Sequence, residues 1–227
     1  MKRAAILTAA AAAALLIAGS SSSKANIEAG AGDTLPAFDL ANLSDRIDTI
    51  MNQITETAAD VPLETAASNI GAFLALLRQS EGTANEPDPY AVCYGYKHTI
   101  SDFREHPAIS GEWGGEVLPD AMCANAGFGP GCKSTAAGAY QLIRPTWISL
   151  RDALGLTSFD AAAQDAAAVE LIRRRAALED VKAGRIADAV TKCRNTWASS
   201  PGNYAAQGQH SMDTLVSWYQ SAGGNLA

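Results

Sequence analysis

The stretch Ser68-Asn69-Ile70-Gly71-Ala72-Phe73-Leu74-Ala75-Leu76-Leu77-Arg78-Gln79-Ser80-Glu81-Gly82-Thr83 constrains the fold more than any other part of the chain. Ile70, Phe73, Leu74 and Leu77 recur at spacings of three and four, the stripe of a helix with one face buried in a core. Ser68 or Asn69 suits its N-cap, and Gly82 suits the left-handed residue that closes a helix. Such a helix delivers one carboxylic acid, Glu81, to its own C-terminal end. The negative end of the helix dipole there disfavours ionisation and raises the pKa, which is what a general acid needs. A Glu at a helix end is ordinarily a solvated surface residue, so a role for Glu81 depends on what the rest of the chain builds around it.

With 227 residues, 48% of them hydrophobic, the chain can bury one substantial core. Met1-Lys2-Arg3, the apolar run Ala4 to Gly19 and the small-residue exit Ser20 to Ala25 have the three parts of an export segment. The run is mostly Ala and shorter than the roughly 20 residues that span a bilayer comfortably. Residues 1–25 therefore read as a cleaved signal or as a releasable anchor, with transient inner-membrane association through residues 4–19. Either reading places the protein in the periplasm or at the periplasmic face of the inner membrane. Residues 26–64 read as a polar linker followed by an amphipathic helix, with Leu40, Leu43, Ile47, Ile50 and Ile54 at heptad spacing. A helix packed on the neighbouring core and a seam against another helix both fit that stripe. Residues 65–227 form the main domain. Setting aside Lys2, Arg3 and Lys24 leaves 14 of the 17 basic residues against 24 acidic ones, a net charge of −10. That balance lacks the basic footprint of a nucleic-acid binder, and a monomer with no nucleic-acid partner is expected.

Beyond Glu81, residues 91–100 carry β-branched and aromatic residues around Gly95, which predicts a small β-hairpin beside the acid. A long Gly-rich loop covers 108–132, and helices are predicted at about 137–153, 159–177, 184–198 and 211–222. The fold class is α+β and mostly α. Four cysteines in an exported chain make disulfides legitimate to propose. Cys123 with Cys132 is favoured because Gly and Pro between them let a short loop close, and Cys93 with Cys193 is then the remaining pair. The cysteine spacings and the scattered His98, His106 and His210 do not compose a zinc site, so no metal is expected. No Gly-x-Ser-x-Gly nucleophile motif and no phosphate-binding glycine loop occurs, and no cofactor is expected.

A second constellation is Lys133 to Trp147, where small residues let a backbone come close and precede the pair Tyr140-Gln141. The hydroxyl and the amide can hydrogen-bond polyol or acetamido groups; tight helix packing is the plainer reading. Here the residues carry a resemblance. Ser80-Glu81-Gly82-Thr83, Tyr90, the hairpin, Asp102 to Pro107, Ser134 to Gln141, Gln164-Asp165 and Asn195 to Gly202 occur in the order seen in lambda-type phage endolysins. Those proteins are lysozyme-like lytic transglycosylases, and the similarity spans roughly residues 68–224. The resemblance implies a two-lobed lysozyme-like domain whose cleft cuts the glycan strands of peptidoglycan during phage lysis. It implies that Glu81 is catalytic and that Tyr90, Tyr140 and Gln141 contact substrate. Tyr204, Gln207 and Gln209 are further candidates, in a stretch whose spacing departs from the family's. Two other departures stand out: Gly95-Tyr96 replaces the family's Gly-Gly in the hairpin, and the loop 108–132 is longer, with its cysteine pair an addition.

Ordinary glycosidases need two carboxylates at a defined separation, whereas a lytic transglycosylase can use one group as acid and then base. Glu86, Asp88 and Asp102 are the nearby carboxylates that a hydrolytic muramidase would recruit; their plainer reading is loop solvation. A catalytically idle wall-binding module and a membrane-tethered structural protein are the readings from other classes.

Overall fold

In a computed structural model of the chain, helix α1 (Leu63–Ser80) runs through the middle of the fold, with Ala72, Phe73, Leu76 and Leu77 fully enclosed. The structure describes residues 61–197, 199–201 and 210–227; the export segment, the predicted helix over 40–54, and Tyr204, Gln207 and Gln209 lie outside them. The helix starts six residues earlier than a cap at Ser68 would place it, with Pro62 as its N-cap and the Pro62 carbonyl accepting the Ala66 N–H at 3.0 Å. Ser68 and Asn69 are consequently not caps. Ser68 Oγ donates to the Gly223 carbonyl at 2.9 Å. Asn69, enclosed, donates from Nδ2 to the Lys182 carbonyl and accepts the Asn225 N–H at Oδ1, both at 2.8 Å. The C-terminal tail is thus bound across the first turns of α1.

The remaining elements follow in order: α2 (Pro107–Ser110), β1 (Glu116–Val117), α3 (Asp120–Asn125), β2 (Lys133–Ser134), α4 (Arg144–Leu154), α5 (Ala161–Arg174), α6 (Leu178–Lys182), α7 (Ile186–Cys193) and α8 (Met212–Ser221). α1 packs mainly against α8 and α6 and touches α5. Asp160 caps α5 by accepting the Ala163 N–H at 2.9 Å, and Ser211 caps α8 through the Thr214 N–H at 3.2 Å. Neutral His106 caps α2: its Nδ1 accepts from the Ala108 N–H while its other ring nitrogen meets the Leu142 carbonyl at 2.9 Å. Burial holds His106 well below its usual range, at about 4.

Two predicted elements change. The helix predicted from 137 begins only at Arg144, with Pro145 in its first turn. Gly138 at φ +76 and Gln141 at φ +50 fold residues 137–142 into a tight turn closed by Ala137 and Leu142. The hairpin predicted over 91–100 is reduced to a single bridge, Val92 with Thr99, because Tyr94 N–H donates instead to the Ala136 carbonyl at 2.8 Å. The regular antiparallel pair is β1 with β2, inside the region read as loop, with Glu116 opposite Ser134 and Val117 opposite Lys133.

The cause is local. Cys123 and Cys132 form a disulfide, and Leu118 N–H donates to the Cys132 carbonyl at 2.9 Å, so the two ends of the long loop are drawn together. A small apolar cluster of Tyr94, Leu118, Cys123, Ala136 and Ile143 fills the space beneath, apart from the main helical core. The second pairing does not form: Cys93 and Cys193 are free and buried in the main core. There they act as small apolar side chains, and burial pushes both thiols up to about 12.

Candidate active site

Glu81 caps the C-terminus of α1, its N–H still donating to the Leu77 carbonyl at 2.9 Å, and Gly82 follows at φ +79 as the left-handed residue. The side chain turns inward and is 5% exposed. Ser199, 118 residues away in sequence, donates from Oγ to Glu81 Oε1 at 2.7 Å. The Ser80 and Ser199 hydroxyls are hydrogen-bonded to each other, so the last residue of α1 holds the group that holds the acid. Burial pushes Glu81 up to about 7, and the Ser199 hydroxyl pulls back toward the charged form. The raised value expected from the helix dipole is present, but desolvation is its largest cause.

The backbone carbonyl of Glu81 is also engaged. Tyr96 donates its hydroxyl to that oxygen at 2.9 Å. Burial and the charge of Glu81 push the phenol up to about 12, so it remains a donor at neutral pH.

Two of the other acids near Glu81 in sequence are occupied elsewhere. Asp102 is chelated by Arg104, with contacts of 2.6 to 3.0 Å that hold its carboxyl down to about 2. Asp88 accepts the Tyr90 N–H at 2.9 Å and starts a short 3-10 turn, while Glu86 is exposed. Among the described residues no carboxylate shares in shifting Glu81, so its environment is that of a lone acid.

The two tyrosines expected to meet substrate are placed differently. Arg78, one turn before Glu81 on α1, donates from Nη1 to the Tyr140 hydroxyl at 2.7 Å and to the Tyr90 hydroxyl at 3.3 Å. Both hydroxyls in turn donate to Asp165 Oδ1 on α5. Tyr140 is 1% exposed, so its side chain knits the last turn of α1 to α5 instead of lining an open surface. Tyr90 is half-buried in the same network, its ring edge-on to Tyr140. Gln141 differs from both. It is 7% exposed, its Nε2 donates to the Gly138 carbonyl at 3.0 Å, and its Oε1 is buried without a partner. A buried acceptor left unpaired costs free energy that an incoming N–H or O–H donor recovers.

Gln164 fixes the turn that carries this pair. Its Oε1 accepts the Ala139 N–H at 2.8 Å, and its Nε2 donates to the Phe159 and Tyr90 carbonyls at 2.7 and 3.1 Å. A Cβ on Gly138 would stand 2.1 Å from Gln164 Oε1, so only glycine fits. Thr83 adds a hydrogen bond from Oγ1 to the Ala139 carbonyl at 2.8 Å, joining the turn to the segment after the acid.

Sequence reasoning singled out neither Ser199 nor Tyr96 as a site residue. Ser199 sits in the quoted stretch Asn195 to Gly202, and Tyr96 was noted only as a departure from Gly-Gly. Among the described residues there is no cluster of three metal-ligating side chains.

The family model described as Endolysin matches residues 71–226. The endolysin of Escherichia phage P2 is 38% identical over 164 residues, covering 72% of this chain and 98% of that protein. The endolysin of Escherichia phage lambda is 35% identical over 160 residues, covering 68% and 91%. Among solved structures, bacteriophage lambda lysozyme complexed with a chitohexasaccharide superposes with a TM-score of 0.59 at 33% identity, covering 70% of this chain and 97% of the other. A second structure, lysozyme from bacteriophage lambda, gives a TM-score of 0.56 at the same identity and coverage.

Proposed function

Because the chain belongs to the Endolysin family and degrades peptidoglycan, we propose that it opens the MurNAc-GlcNAc β-1,4 bond by lytic transglycosylation, with Glu81 as its single acid and base. The observation that carries this reading is the lone buried carboxyl poised near neutrality, with its neighbours Asp88 and Asp102 committed to other partners.

The steps follow from that environment. Glu81 in its protonated form donates to the glycosidic oxygen as the bond from that oxygen to C1 of MurNAc breaks. The resulting carboxylate, steadied by Ser199, accepts the proton of the C6 hydroxyl as the C6 oxygen attacks C1. Glu81 ends protonated, no water is consumed, and the product is 1,6-anhydroMurNAc. A group titrating at about 7 is suited to both halves. The unpaired Oε1 of Gln141 would accept from an amide N–H or hydroxyl of the sugar. That a related lysozyme binds a chitohexasaccharide supports a β-1,4-linked glycan as the occupant.

The test is digestion of purified peptidoglycan followed by mass measurement of the fragments. Ends lighter by one water than reducing MurNAc are expected, and Glu81→Gln should lose at least about 100- to 10,000-fold in rate. Reducing MurNAc ends would move the protein to a hydrolytic muramidase, with Glu86, Asp88 or Asp102 as the second acid. Full activity in Glu81→Gln would remove Glu81 from the mechanism.

The same reading includes export. Residues 1–25 would deliver a monomeric enzyme to the periplasmic face of the inner membrane, where its substrate lies, with residues 4–19 as signal or releasable anchor. N-terminal sequencing of the exported protein separates the two, and recovery from cytosol alone would defeat both.

A further inference from the structure

We propose that Tyr96 is a positioning residue for the reaction, a latch that fastens the turn 93–97 to the main chain of the catalytic acid and keeps water from its side chain. The proposal deepens the functional reading above and rests on Glu81 being the acid.

The turn has an unusual backbone. Tyr96 N–H donates to the Cys93 carbonyl at 3.0 Å, and Gly95 stands at φ +87. Tyr96 itself is at φ +57, a left-handed conformation that L-residues with a bulky side chain rarely adopt. Glycine would hold the same backbone without strain. A tyrosine there turns its side chain back to the end of α1, and its hydroxyl reaches the Glu81 carbonyl at 2.9 Å. That carbonyl belongs to the last turn of α1, where four carbonyls have no partner within the helix. The latch therefore supplies a donor that the helix cannot, at the residue whose side chain does the chemistry. The strain of one residue is offset by the fixing of another.

Two further contacts show that the turn is itself anchored. Gly95 lies against Glu116 of β1, where a Cβ would come within 3.1 Å of Glu116 Cγ, and Lys97 is paired with the same Glu116. The latch thus ties Glu81 to the small disulfide-closed cluster as well as to its own helix. Tyr96 is half-buried and close enough to Glu81 for that carboxylate's charge to raise its phenol. In the proposed role the half-buried ring helps to exclude water from Glu81, which is itself 5% exposed.

The two parts of the role separate in two variants. Tyr96→Phe keeps the ring and removes the hydroxyl; kcat on peptidoglycan should fall on the order of tenfold with KM little changed, because the acid is less well held. Tyr96→Gly relieves the backbone and removes the ring. Its melting temperature should be equal to or above that of Tyr96→Phe, yet its kcat should be lower still. In Tyr96→Gly the basic limb of the pH profile should move to lower pH, as Glu81 regains water, while in Tyr96→Phe it stays. The pKa of Glu81 can also be followed by carbon NMR of the labelled carboxyl in all three proteins, whether or not they turn over. A Glu81 pKa unchanged in Tyr96→Gly, or activity losses that only follow loss of folded protein, overturns the latch. Peptidoglycan left intact by the unmodified protein would count against the functional reading alone, since the NMR titration still decides the role of Tyr96.

Discussion

At Glu81 the proposed catalytic role and stability pull in opposite directions. The fold raises its pKa from 4.5 to about 7, so burial costs nothing below pH 4.5, where the group is protonated folded or unfolded. Stability is lost as pH rises through 7, and the gap between the two values corresponds to about 3 kcal/mol. Glu81→Gln, which cannot ionise, should therefore melt well above the unmodified protein at pH 8 and close to it at pH 4; an equal difference at both would mean that burial is not the cause. Ser199→Ala removes a donor to the charged form. It should raise the acid further, moving the basic limb of activity to higher pH, and an unmoved limb would deny Ser199 that role. Glu81 was legible because an apolar stripe ending in Ser80-Glu81-Gly82 fixes both the helix and its end. Ser199 and Tyr96 were not, since one is brought in from 118 residues away and the other acts from a turn whose backbone no periodicity announces. The enclosure of Tyr140 was not legible for a related reason: its hydroxyl meets Arg78 from α1 and Asp165 from α5, both far from it in sequence.

At the scale of elements, the helices that carry their own punctuation were read well. α5 follows Asp160 and α8 follows Ser211, each a side chain that accepts from the first turn. The helix predicted from 137 failed because Gly138, Gln164 and Thr83 together hold residues 137–142 in a turn, and two of those three lie far off in sequence. Strand pairing was misread similarly: short segments acquire regular pairing only where something distant brings them together, here the Cys123–Cys132 bridge between β1 and β2. Replacing both cysteines by serine should cost about 2 to 3 kcal/mol by releasing that loop in the unfolded state. The loss should appear as a lower melting temperature matched by the unmodified protein under reductant. Because the same loop carries Glu116 against Gly95, activity should fall more than the lost stability alone explains. A melting temperature indifferent to reductant would show that the apolar cluster holds without the bridge.

At the scale of the whole molecule, the two ends of the described domain are fastened together. Asn69, near the start of α1, holds Asn225 and Lys182, Ser68 holds Gly223, and the carbonyl of Asn225 stands where a Cβ on Gly184 would meet it at 2.1 Å. Tyr219 completes the arrangement by donating its hydroxyl to the Asn225 carbonyl at 3.0 Å. Removing residues 223–227 should leave Asn69 buried with its acceptor unpaired, lowering the melting temperature and, through α1, the activity. Retention of both would mean that the tail only covers the helix. Synthesis proceeds from α1 toward α8, so Asn69 emerges 156 residues before Asn225 and Glu81 emerges 118 residues before Ser199. Neither side chain can be enclosed as it is here until those later segments have been made.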